Sequence, residues 1–250
     1  MKEVEGKPYS KTYIWTQNRE LNAIFNHAEK YDDLKPNPVK QVTKIGKEKG
    51  GKTNAWTLDQ YKQFSEEALE SQYYEAYEIL YWCGLRAGEM LALTVGDIDL
   101  EKNEIHVNKS LKRIGCEDLI TEPKTENSNR IVKMPGFLAN ELNMYMMRHR
   151  KIHDDDRLFT FTHVAIGRAI HRFASRAMVP QIRLHDLRHS FVSLLINNGF
   201  TAYEIGQCVG HSGSYITYRY AHLFDETRTR IARKLEALGN AYDDAKKSKK

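Results

Sequence analysis

L-H-D-L-R-H (Leu184 to His189) opens a stretch that runs on through an apolar helical segment and closes with V-G-H (Val209 to His211) and Y-R-Y-A-H (Tyr218 to His222). His185 and Arg188 are three apart, so on a helix they share a face and can address one anion. His211 adds a proton donor or acceptor and Tyr220 a phenol; together the four can grip a phosphodiester and attack it. A second reading stays open on these residues alone. His185 and His189 are four apart, as in H-E-x-x-H zinc hydrolases, and His211 is available as a third ligand, although Asp186 stands where that motif has Glu. In the phosphate reading Asp186 caps the helix or complements its dipole, and His189 packs or bonds a backbone carbonyl. Leu187, Phe191, Leu194 and Leu195 then form the buried stripe.

Two upstream motifs decide between the readings. In G-L-R-A-G-E (Gly84 to Glu89) the spacing puts Arg86 and Glu89 on one helical face, where the carboxylate can hold the guanidinium in position. In P-K-T-E-N-S-N-R (Pro123 to Arg130) Lys124 sits in a hairpin turn, from which its long stem can reach a groove and protonate or stabilise an oxygen anion. Ser128 and Arg130 of the same turn are expected to bond DNA phosphates. A zinc site has no need of Arg86 and Lys124, whereas a phosphoryl-transfer site does.

Working outward, the fold expected is α+β and mainly helical, with a small three-stranded antiparallel sheet. Thr57 with Gln60 makes a capping box for a helix through Leu69, and a second helix runs from Ser71 to Cys83 and stops at Gly84. Glu104 to Val107, Asp118 to Thr121 and Arg130 to Met134 alternate or are β-branched, which predicts the three strands. Helical periodicity returns at Phe137 to Met147, Val164 to Met178, His185 to Asn198, Thr201 to Val209 and Glu226 to Leu238, with a short turn around Ser214 to His222. Towards the other end, one amphipathic helix from Ser10 to about Tyr31 precedes Pro36 and Pro38. Residues 1–38 therefore read as a remnant of a small helical domain and 39–55 as a basic linker, in which Lys40, Lys44 and Lys47 are candidate DNA-phosphate contacts. The second domain spans 56–240, and 241–250 reads as a disordered basic tail.

The 250 residues carry a formal charge of +5, a weak signal for a polyanionic partner. No run of eighteen apolar residues and no secretory signal is present, so no membrane role is expected and cytoplasm is the default compartment. Cys83, Cys116 and Cys208 are an odd number with no C-x-x-C pair, which suggests neither a disulfide framework nor a thiolate metal site. Cys83 and Cys208, among apolar residues, read as core thiols.

Taken in order, these residues resemble the catalytic domain of the tyrosine recombinase, or phage integrase, family over roughly Trp56 to Leu238. Arg86 in G-L-R-x-x-E matches the family's first arginine and Lys124 its hairpin lysine. His185 and Arg188 match its H-x-x-R pair, His211 its later histidine, and Tyr220 its nucleophile. Tyr220 is chosen over Tyr218 because Y-A-H resembles the family's Y-x-H and because it lies nine residues after His211. Val209 stands where the family usually has Leu. The segment Tyr9 to Pro38 resembles the last helix of the core-binding domain. The resemblance implies a DNA recombinase that works through a 3′-phosphotyrosine without metal, ATP or other cofactor. It also implies four protomers on two DNA sites, a monomer in free solution, a possible excision factor, and a C-terminal helix that packs in cis or reaches a neighbour.

Overall fold

In the computed structural model the described residues are 3–4, 7–32, 34, 36–42, 46, 54–115, 117–122, 129–150, 153–210, 216–217, 220 and 235–236. They fall into two compact units, residues 1–52 and 53–250.

In the first unit a short hairpin, β1 (Glu3–Val4) with β2 (Lys7–Pro8), precedes α1 (Lys11–Tyr31). Ser10 caps α1 by accepting from the Tyr13 N–H at 3.1 Å. A single 3₁₀ turn, Pro38–Gln41, folds back on α1, because the buried Asn37 donates to Asn22 and Asn26 at 3.1 and 2.9 Å. Lys40, expected along a linker, lies in this turn and pairs with Glu29 of α1 at 2.6 Å. No residue of α1 is fully buried, as one amphipathic helix with a single turn against it would dictate.

The second unit is built around α3 (Tyr74–Trp82), whose residues from Glu75 to Tyr81 are all buried. A helix without a polar face must be wrapped on every side, and α2 (Leu58–Ala68), α4 (Ala87–Ala92), α5 (Gly136–Arg148) and α7 (Asp186–Asn197) do this. The expected Thr57–Gln60 capping box starts α2. Tyr61 and Tyr81 stack with their centroids 3.5 Å apart, and the buried Glu78 carboxylate of α3 accepts from Tyr61 at 2.7 Å and Trp82 at 2.9 Å. Trp56 ties the start of this unit to α7, its N–H donating to Ser190 at 2.9 Å. α6 (His163–Arg176) covers α2, and α8 (Ala202–Val209) follows α7.

The three-stranded antiparallel sheet has the order β3 (Ile98–Asp99), β4 (Glu104–Val107), β7 (Arg130–Lys133). Two of the three expected strands are in it. Asp118 to Thr121 is not: it belongs to β6 (Glu117–Thr121), which pairs with β5 (Ser110–Ile114) in a separate hairpin. The physical reason is local, since Ile114 pairs with Glu117 only three positions on, and Gly115 just after Ile114 takes a φ of 62°. Gly88 of α4 lets this hairpin approach closely, for a Cβ there would lie 2.8 Å from the Leu111 carbonyl oxygen. Among the described residues no helix is long and apolar enough to cross a membrane.

Two apolar clusters meet at α7. Its Leu187 belongs to the main core, while Phe191, Val192 and Ile196 pack with Ile205, Val209, Ile216 and Tyr220. Cys83 is buried as expected, but Cys208 is exposed, because it lies off the face of α8 that Ile205 and Val209 bury.

Candidate active site

The chain leaves α3 through Gly84, whose φ of 62° only a residue without Cβ adopts freely. A Cβ would lie 2.3 Å from the Phe191 ring. This turn brings Arg86 to the N-cap of α4, one position before the helix the spacing suggested, and aims the Gly84 carbonyl at α7. Glu89 then does two things at once. One carboxylate oxygen accepts from the Arg86 backbone N–H at 2.8 Å, satisfying the helix start, and the other accepts from the Arg86 guanidinium at 2.6 Å.

A second guanidinium reaches the same carboxylate. Arg130, at the start of β7, donates to both Glu89 oxygens at 3.2 and 2.9 Å, and its Nε donates to the Cys208 carbonyl at 3.1 Å. Its side chain is only 7% exposed. The side chain of Arg130 turns inward, where it shares with Arg86, one third exposed, the charge compensation that the buried Glu89 needs. Burial alone would raise the Glu89 carboxyl. Hydrogen bonds and charge from Arg130, then the backbone N–H and charge of Arg86, outweigh it and hold Glu89 down at about 2.

Arg188 of α7 is buried and spans two backbone carbonyls, Gly84 before α4 and Val209 at the end of α8, each at 2.5 Å. Burial, then the neighbouring Arg86 cation, pull its guanidinium down to about 9, with Glu89 opposing. A guanidinium stays charged at neutral pH under such a shift. Three guanidinium groups from α4, β7 and α7 are gathered around one carboxylate.

His185 stands at the N-cap of α7, exposed, with its ring 4.9 Å from that of His189 and edge-on to it. Asp186 lies in the first turn of α7, where its charge complements the helix dipole, the second of its two expected roles. It is fully buried and accepts from the backbone N–H and the guanidinium of Arg183 at 2.9, 3.1 and 2.8 Å, fastening the chain that enters α7. His189 departs from expectation: its Nδ1 is hydrogen-bonded to the Tyr220 hydroxyl, not to a backbone carbonyl. Both side chains are buried, and Tyr220 seats its ring in the second apolar cluster. A signal for this was available, since a histidine on the buried face of a helix requires a polar partner.

Arg86, Glu89, Arg130, Arg188, His189 and Tyr220 are thus brought into one neighbourhood, with His185 at its solvent edge. Lys124, Ser128, His211, Lys44 and Lys47 lie outside the described residues, as do Cys116, Tyr218 and most of the expected last helix. A family model described as the phage integrase family matches residues 55–227. The chain belongs to the phage integrase family. Among curated relatives, the ICEBs1 integrase of Bacillus subtilis (strain 168) is 30% identical over 234 residues, covering 87% of this chain and 63% of the integrase. A XerC-like tyrosine recombinase of Caldanaerobacter subterraneus is 29% identical, covering 94% and 68%. Among solved structures, the Tn1549 transposon integrase in complex with transposon right-end DNA superposes with a TM-score of 0.76 at 26% identity, covering 92% of this chain and 80% of that one. Relative to the ICEBs1 integrase, this phage integrase family chain spans less than two thirds of its relative's length.

Proposed function

We propose that the protein is a site-specific DNA recombinase that cleaves and rejoins strands through a 3′-phosphotyrosine, serving integration and excision of a mobile element such as a prophage or an integrative transposon. The observation that carries this reading is the gathering of three guanidinium groups around one carboxylate, beside a buried phenol. Among the described residues the three cations face one carboxylate, and a scissile phosphate is an anion whose charge grows as it becomes pentacoordinate.

In this reading Arg86 and Arg188 bind the non-bridging oxygens, and Glu89 with Arg130 holds Arg86 in place. The Tyr220 oxygen attacks phosphorus in line and the bond to the 5′ oxygen breaks. His185 takes or shares the phenolic proton, Lys124 protonates the departing 5′ oxygen, and His211 donates to a phosphoryl oxygen. The phosphotyrosine conserves the energy of the phosphodiester, so a 5′-hydroxyl from another strand reverses the step. Double-stranded DNA is the substrate, with Ser128, Lys40, Lys44 and Lys47 as candidate backbone contacts. Protomers free in solution are monomers, and four assemble on two synapsed sites, with an excision factor setting direction. The compartment is that of the DNA, the bacterial cytoplasm.

The test is a nicked duplex built from the ends of the element that encodes the protein. The wild type forms a covalent adduct that survives denaturant, and Tyr220→Phe abolishes it. An adduct that persists in Tyr220→Phe and is lost in Tyr218→Phe would overturn the assignment.

A further inference from the structure

We infer that His189 is the residue that seats the nucleophile, its Nδ1 holding the Tyr220 hydroxyl inside the same protomer's site before DNA binds. This rests on the reading of Tyr220 as the attacking residue and adds to it a positioning residue that the motif does not supply.

Tyr220 is 2% exposed and His189 4% exposed, so neither polar tip can rely on bulk water. The phenol ring sits among Phe191, Val192, Ile196, Ile205, Val209 and Ile216, which fixes the ring but cannot fix its oxygen. His189 does that, through its hydrogen bond to the hydroxyl. The imidazole is itself held edge-on by the His185 ring at 4.9 Å, on the preceding turn of α7. It also follows directly on Arg188, whose guanidinium is fastened to the carbonyls of Gly84 and Val209. The phenol oxygen is therefore registered to the phosphate-binding arginine through one bond and one residue of a buried helix. That is the arrangement by which a poor nucleophile gains from orientation, since ordering it beforehand removes an entropic part of the barrier.

In the DNA-free protein, with Nδ1 unprotonated, the phenol donates a hydrogen bond to it and keeps its proton, which passes to His185 only at attack. An asparagine in place of His189 keeps a polar atom near the place of Nδ1, a glutamine near that of Nε2, and a leucine neither. The nicked duplex of the preceding section, offered to His189→Asn, His189→Gln and His189→Leu, separates the outcomes. At saturating duplex the adduct forms roughly 10-fold or more slowly in the Gln and Leu variants and recovers most of its rate in the Asn variant. The half-saturating duplex concentration stays within about twofold of wild type, because DNA is gripped elsewhere. Equal loss in Asn and Leu, with all variants folded, overturns the proposal, as does a normal rate in Leu. Histidine ¹⁵N NMR of the DNA-free protein gives a check that needs no His189 variant: the Nδ1 resonance of His189 moves in Tyr220→Phe, and a resonance that stays put overturns the contact. An adduct surviving Tyr220→Phe removes the underlying reading. One lost in Tyr220→Phe yet formed normally in His189→Leu refutes the seating alone.

Discussion

Replacing Glu89 by glutamine tests the electrostatic core of the site. The carboxylate is 5% exposed and accepts from the Arg86 backbone, the Arg86 guanidinium and both terminal nitrogens of Arg130. It is held at about 2, against an ordinary value of 4.5. A depression of about 2.5 pH units corresponds to about 3 kcal/mol of stability linked to this one ionisation. The sign follows from the depressed folded value. The contribution is complete above pH 4.5 and drains away as pH falls through the folded value near 2. Glu89→Gln therefore lowers the unfolding free energy by about 3 kcal/mol at neutral pH and by little near pH 2. Urea titrations of both proteins at about pH 7, 4 and 3 measure it. A loss under about 1 kcal/mol at neutral pH, or one that does not shrink on acidification, refutes the argument that Glu89 is the electrostatic centre of the cluster.

Two further substitutions probe the frame around it. Gly84→Ala puts a Cβ 2.3 Å from the Phe191 ring at a φ of 62°, so it costs about 2–4 kcal/mol in a urea melt and loosens the carbonyl that Arg188 uses; a change below about 0.5 kcal/mol contradicts the close approach. Glu141→Gln acts in the opposite sense: burial, then the charges of Glu78 and Glu75, push the Glu141 carboxyl up to about 7. Its raised folded value means that charging penalises the fold increasingly between 4.5 and about 7 and fully above, so the variant is the more stable protein at about pH 8 and gains nothing near pH 4. Equal melting shifts at both pH values refute that origin.

What could be read from the sequence was what is encoded locally. The Thr57–Gln60 capping box, the stop at Gly84, and the helices over Phe137 to Met147 and Thr201 to Val209 need only neighbours within a few residues, and they stand where the pattern puts them. The sheet's third strand escaped because Ile98–Asp99 is two residues long and carries no period of its own. The separate hairpin escaped although its turn glycine, Gly115, was in view. At the site, residue types were legible and partners were not. The pairing of Arg130 with Glu89 spans 41 residues and that of His189 with Tyr220 spans 31, beyond any local pattern. Pairings across such separations are decided by how the helices close on one another.

The last two carbonyls of α8 are each held by an arginine from a different element, Cys208 by Arg130 of β7 and Val209 by Arg188 of α7. The charge cluster and the end of α8 are consequently one cooperative unit, because loosening either guanidinium frees the helix end, which closes at the left-handed Gly210. Amide exchange at the end of α8 should thus report on the integrity of a charge cluster centred two elements away, rising when either arginine is lost.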